Sequence, residues 1–168
     1  MPRSTTTDAL MQSVAQGTAA QLAILPVSMG QTFNTAELLK QIVSDRLELA
    51  GSHLRTADSL SQSAAHRSAI SRYYYAMYHA ARAICFGYHR GDDFQRHSRL
   101  PNNLPPTLTD NVRWTQELHS ARLVRNMADY DLYPSALADW EGDAVALAIV
   151  APEFLGTCED FAMNTGLI

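Results

Sequence analysis

Between Ser63 and Phe86 the chain carries neither glycine nor proline and is rich in alanine, and the first helix breaker is Gly87. Such a run predicts one long helix over residues 63–88. Successive residues on a helix turn by about 100°, and in that projection the run separates into three faces where an ordinary surface helix has two. Tyr74, Met77, Tyr78, Ala81, Ile84 and Cys85 make an apolar face expected to enter the core. Ala76, Ala80, Ala83 and Gly87 make a strip of small residues that would let another helix approach closely. Arg72, Tyr75, His79, Arg82 and Phe86 alternate cations with rings along the remaining line. Arginine holds phosphate and aromatic rings stack on bases, so this last strip is a candidate substrate-binding surface; the competing reading is a solvated or salt-bridged helix face.

The rest of the chain reads as helices of the same kind. Asn34 with Glu37 three residues on is a capping-box pattern, followed by Leu38, Leu39, Ile42, Val43 and Leu47 at helical spacing. A third helix is expected from Leu108 to about Tyr130, and a fourth after Ser135, with Trp140, Val145, Leu147, Ile149, Phe154 and Leu155 inward and Pro152 kinking it. Residues 91–106 collect Gly, Asp, Asn and three prolines and read as a long loop. Strand-like alternation is lacking, so the expected fold is an all-α, four-helix up-down bundle over residues 33–168. Residues 1–32, rich in Ser, Thr, Gln and Gly with no sustained period, read as an N-terminal extension, partly ordered or partner-binding.

At 168 residues the chain fits one domain. A net charge of −4 argues against a generic polyanion binder, so any contact with RNA must be local. Every basic residue but Lys40 is arginine. Cys85 and Cys158 lack metal-ligand spacing, no signal-type start precedes them, and the apolar stretch 19–27 is broken by Gln21 and Pro26. These features predict a reduced, cytoplasmic protein with no membrane role, no metal site and no cofactor.

The third helix holds an anomaly. Arg125 projects onto the same face as Trp114, Leu118, Ala121 and Ala128, where the core or an interface should be. A buried guanidinium needs a carboxylate, and Asp129 one turn later is the nearest candidate. The pair is either a structural brace or a site arginine oriented by Asp129.

These residues together resemble a known family. The run Ser71-Arg72-Tyr73-Tyr74-Tyr75-Ala76-Met77-Tyr78-His79-Ala80-Ala81-Arg82-Ala83-Ile84 looks like the signature helix of short HEPN proteins. His97-Ser98 matches the His-Ser of that family's following loop, and Arg125-Asn126-Met127-Ala128-Asp129-Tyr130 its Arg-x-x-Ala-Asp-Tyr motif. Ala151 to Phe161 resembles its last helix, with Pro152 where Glu or Ala is usual. The resemblance spans about residues 35 to 165 and implies a helical bundle from a toxin–antitoxin or defence locus, a homodimer, an RNA substrate and a nucleotidyltransferase-type antitoxin as partner.

Catalytic members of the family use an Arg and a His four to six residues apart, brought together across a dimer. Here the aligned position is Tyr130. Arg46/His53, Arg72/His79, Arg82/His89, Arg90/His97 and Arg113/His119 also satisfy the spacing, and chance supplies roughly one such match, so spacing alone selects none. Metal-free RNA cleavage needs a base for the 2′-hydroxyl, an acid for the leaving oxygen and a cation for the developing phosphorane charge. Arg125 supplies the cation. A tyrosine, with its intrinsic pKa of about 10, makes Tyr130 a proton donor and a poor base, and His97 and His79 are left as candidates for proton transfer. Residues five apart diverge by about 140° on a regular helix, so Arg125 and Tyr130 are expected to meet only if the helix distorts or two subunits combine. Two functions follow: a dimeric, metal-independent endoribonuclease with catalytic Arg125, Tyr130 and His97, substrate-binding Arg72, Tyr75, His79 and Arg82, and Asp129 orienting; or a noncatalytic module that binds RNA, a nucleotide or a nucleotidyltransferase-type protein.

Overall fold

A computed structural model describes residues 5–28 and 35–168, and within them every regular element is helical. The helices are α1 (Thr6–Gln16), α2 (Ala19–Ser28), α3 (Thr35–Gln62), α4 (His66–His89), α5 (Asn111–Tyr130) and α6 (Glu141–Asn164), with single 3₁₀ turns at Leu100–Asn103 and Leu137–Trp140. No helix among the described residues is long and apolar enough to cross a membrane.

Helix α4 is the axis of the molecule, packed against α3, α5 and α6. Its apolar face is buried as expected, and so is its small-residue strip: Ala76, Ala80 and Ala83 are inaccessible. A Cβ on Gly87 would stand 2.9 Å from Leu167 Cδ1 and 3.1 Å from Val43 Cγ2, so glycine here admits the C-terminal tail and α3 against the α4 backbone. The strip is filled from within the chain and offers no surface to a second copy. Trp114 of α5 and Phe154 of α6 close the other side, their rings 4.9 Å apart and both fully buried. Full burial of rings this size contributes on the order of 2 kcal/mol each.

Helix α6 departs from the expected inward set. Trp140, Leu147, Phe154 and Leu155 are buried, but Val145 and Ile149 are 51% and 67% exposed. The buried residues Ala144, Leu147, Ala151, Phe154, Leu155 and Cys158 recur at helical spacing, and Val145 and Ile149 lie off that line. The helix runs on through Pro152, which sits on the exposed side. Cys85 and Cys158 are both buried and unbridged.

Residues 5–28 of the N-terminal extension are helical and laid against the bundle. Two capping boxes explain the helices. Thr5 and Asp8 exchange side-chain bonds with each other's amides at 2.7 and 3.1 Å at the head of α1. Thr18 and Gln21 do the same at 2.8 and 3.3 Å for α2. Val14 and Leu22 belong to the common hydrophobic core. The capping pattern at Asn34 lies outside the described residues.

Candidate functional site

The face of α4 that the sequence singled out is divided by the structure into two halves. At the C-terminal half Arg82 Nε donates to Asp92 Oδ1 at 2.8 Å, and Arg82 Nη2 bonds the other carboxylate oxygen. Arg46 of α3 reaches the same carboxylate, with Nη1 3.1 Å from Oδ1. It also donates from Nη1 to the Arg82 carbonyl at 3.2 Å and from Nη2 to the Ala15 carbonyl at 2.5 Å. The Asp92 side chain is 1% exposed. Phe86, which shares the strip of cations and rings in projection, is buried with the Arg46 guanidinium 4.6 Å from its ring centre. The physical reason is that α3 and the C-terminal end of α1 cover this end of α4. Arg82 is thus committed to a structural ion network, and its place in substrate binding is correspondingly reduced.

The other half is built on Tyr74, Tyr75, His79 and Arg72. Tyr75 and His79 are half-buried and Arg72 is exposed. His79 stacks on His53 of α3, ring centres 5.2 Å apart and planes 5° from parallel, and Arg72 Nη1 lies 3.4 Å from His53 Nδ1. The sequence reading did not single out His53; its signal was only that it falls on the α3 side that faces α4. Burial, and then His53 and Arg82, push the His79 imidazole down to about 4. Burial and then Arg72 lower His53 as well. Both rings are therefore neutral at pH 7.

His97, carried by the loop after α4, lies in the same place. Its Nδ1 is 2.6 Å from Tyr74 Oη, its ring stacks on Tyr78 at 4.1 Å, and it meets Tyr75 edge-on at 6.1 Å. The Tyr78 hydroxyl donates to the Gln95 carbonyl at 2.5 Å, which ties the loop down two residues before His97. Burial, then Arg125, Arg122 and Arg82, lower the His97 pKa. Burial raises that of Tyr74, which keeps its phenol protonated.

Arg125 approaches from α5. Its Nη2 donates to Tyr75 Oη at 2.8 Å and its Nη1 to Asn126 Oδ1 at 3.1 Å. Asp129 Oδ2 stands 2.8 Å from Nε, yet that N–H is not aimed at the oxygen and makes no hydrogen bond. The pair is an electrostatic contact. Asp129 also accepts a long bond from Ser71 Oγ at 3.4 Å. The Arg125 guanidinium lies 5.3 Å from the Tyr75 ring centre and 5.5 Å from that of Tyr130. Helix α5 is continuous through Tyr130, so a long guanidinium arm closes the angular gap without a second subunit. Tyr130 is otherwise 71% exposed.

One residue the sequence reading passed over completes the group. Arg122, one turn before Arg125, is half-buried and, among the described residues, makes no hydrogen bond or ion pair; its Nε is buried with no acceptor. An Arg-x-x-Arg spacing on α5 was the available signal. Of the expected site residues, Arg125, Tyr75, Asp129, Tyr130 and His97 are linked by direct contacts, His79 and Arg72 flank them through His53, and Arg82 is held elsewhere. Among the described residues no group of three His, Cys, Asp or Glu is placed to hold a metal ion. No family model, curated protein or solved structure matches the chain.

Proposed function

We propose that the chain is a HEPN-like four-helix protein of a toxin–antitoxin or defence locus, an endoribonuclease that cleaves single-stranded RNA without a metal ion and works as a homodimer. The observation that carries this reading is the convergence of a guanidinium, a neutral imidazole and phenols on one surface: Arg125 on Tyr75 at 2.8 Å, and His97 on Tyr74 at 2.6 Å. Three long helices, α3, α5 and α6, pack against a fourth, α4, which supports a helical bundle.

The chemistry assigns each group a step. In the tautomer whose Nδ1–H donates to Tyr74 Oη, His97 presents a free Nε2 lone pair and takes the proton of the ribose 2′-hydroxyl. The 2′-oxygen bonds to phosphorus, and Arg125 holds the negative charge that grows on the non-bridging oxygens. The bond to the 5′-oxygen breaks, and the exposed Tyr130 phenol gives that oxygen its proton. The products are a 2′,3′-cyclic phosphate and a 5′-hydroxyl. A lowered imidazole pKa suits this role, since the base is already unprotonated at pH 7.

A second reading, favoured by the contact of Asp129 with Arg125, makes that pair a brace and the molecule a noncatalytic module that binds RNA or docks a nucleotidyltransferase-type partner. Cleavage of labelled single-stranded RNA in EDTA separates the two, comparing the protein with Arg125→Ala and His97→Ala at matched thermal stability. Cleavage lost in both variants is expected; absence of cleavage by the unaltered protein, with RNA or partner binding retained, selects the binding module.

A further inference from the structure

The arginines around the site are not equivalent. Arg82 is held by Asp92, Arg125 by Tyr75, Asn126 and Asp129, and Arg113, away from the site, by both oxygens of Glu153 at 2.6 and 2.7 Å. Among the described residues Arg122, alone of the α5 arginines, has no hydrogen-bond acceptor: its Nε is buried without one, while its two Nη groups are not buried. A buried donor with nothing to bond costs about 1–3 kcal/mol, more when it belongs to a charged group. A guanidinium held at that cost, with its Nη groups unpaired and open, is placed to bind an anion through them. Position supports this: Arg122 and Arg125 are three residues apart, so their side chains rise from neighbouring points of one helix. Helix α4, against which α5 packs, presents Tyr74 and Tyr75 there, and Tyr74 carries His97.

We propose that Arg122 is the phosphate-holding residue of this site, its unpaired guanidinium forming, beside Arg125 and His97, an anion subsite that takes a backbone phosphate of a single-stranded RNA. The proposal rests on the ribonuclease reading and adds a division of labour: Arg125, already braced, stays fixed for the reacting phosphate, while Arg122 docks the chain. A planar fork of donors fits two phosphate oxygens at once, which a lysine at the same place would not. Arg122 also lies among the charges that depress the His97 imidazole, so an incoming phosphate would offset them just where a proton is to be received.

The test uses the whole chain and a fluorescent single-stranded RNA bearing 2′-O-methyl groups, which binds but offers no 2′-hydroxyl for attack. Arg122→Gln is expected to weaken binding about ten-fold or more and to lower the slope of log affinity against log salt by about 0.7. Arg122→Lys should recover part of the affinity, and Arg113→Gln should change neither quantity. If the unaltered protein binds or cleaves RNA and Arg122→Gln matches it in affinity and salt slope, the subsite is overturned while the ribonuclease reading stands. If the unaltered protein neither binds nor cleaves RNA, that reading fails, and titration with inorganic phosphate decides the subsite by itself. The Arg122 Nε–H resonance, assigned by its loss in Arg122→Lys, should then move saturably; no movement overturns the proposal.

Discussion

Two arginine clusters share helix α4 and have opposite characters. Around Asp92, two guanidiniums converge on one carboxylate, and backbone carbonyls of Ala15 and Arg82 take further donors. Around Arg125, three residues supply partial partners, Asp129 stands beside an N–H that does not point at it, and Arg122 goes without. The first cluster is closed and the second is open. Residue type does not distinguish them; the supply of acceptors does. A saturated network of buried charge holds segments together, whereas an unsaturated one is ready to receive an anion.

The closed cluster acts as a staple for the N-terminal helices. Arg46 binds the end of α1 at Ala15, the Asp92 amide donates to the Gly17 carbonyl at 2.9 Å, and Asp93 accepts from the Ala19 amide at 2.9 Å. Removing Asp92 leaves the buried Arg46 and the half-buried Arg82 without their shared carboxylate, so Asp92→Ala should cost about 3–5 kcal/mol of stability. A urea midpoint measurement checks this, and a loss below about 1 kcal/mol would erase the contrast between the clusters. The next effect in size is steric. A Cβ on Gly91 would stand 2.1 Å from the Ala19 nitrogen, so Gly91→Ala should lift α2 from the body. The expected cost is about 1–3 kcal/mol, read as lost hydrogen-exchange protection in residues 5–28 with the bundle still protected.

Smaller effects belong to the open cluster. On the ribonuclease reading, Arg125→Ala should remove RNA cleavage yet lower stability by only about 1 kcal/mol, because its carboxylate partner Asp129 is partly exposed and poorly directed. A stability loss as large as that of Asp92→Ala would identify Arg125 as a second staple.

Acid should separate the clusters as well. His79 has a folded pKa of about 4, while an unfolded histidine titrates at about 6.5. Between those values the unfolded chain binds more protons, so the stability contributed by neutral His79 is fully present above about pH 6.5 and is lost as pH falls towards about 4. His79→Gln should flatten that part of the thermal-stability profile; an unchanged profile would place the acid sensitivity elsewhere.

The long helices were legible because their apolar residues repeat at helical spacing and their ends carry breakers, and the breaker-free run over 63–88 places the end of α4 within one residue and its start within three. Helices α1 and α2 were missed because their short apolar patterns are weak, although Thr5 with Asp8 and Thr18 with Gln21 both mark capping boxes. The inward projection of Arg125 was legible from its register with Trp114, Leu118 and Ala121, all buried in the structure. The strip of cations and rings on α4 is salt-bridged at Arg82 and buried at Phe86, and nothing local to either residue shows that α1 and α3 lie across them.

By itself the sequence determined the helical class, the burial of the alanine-rich α4 and the set of residues able to do acid–base and phosphate chemistry, because periodicity and side-chain type are local properties. Only the tertiary structure decided which arginines are spent and which are free. That depends on where acceptors from distant segments arrive: Asp92 and Ala15 reach Arg82 and Arg46, and among the described residues none reaches Arg122. Pairing of buried charge is a property of the packed whole, fixed by residues far apart in the chain.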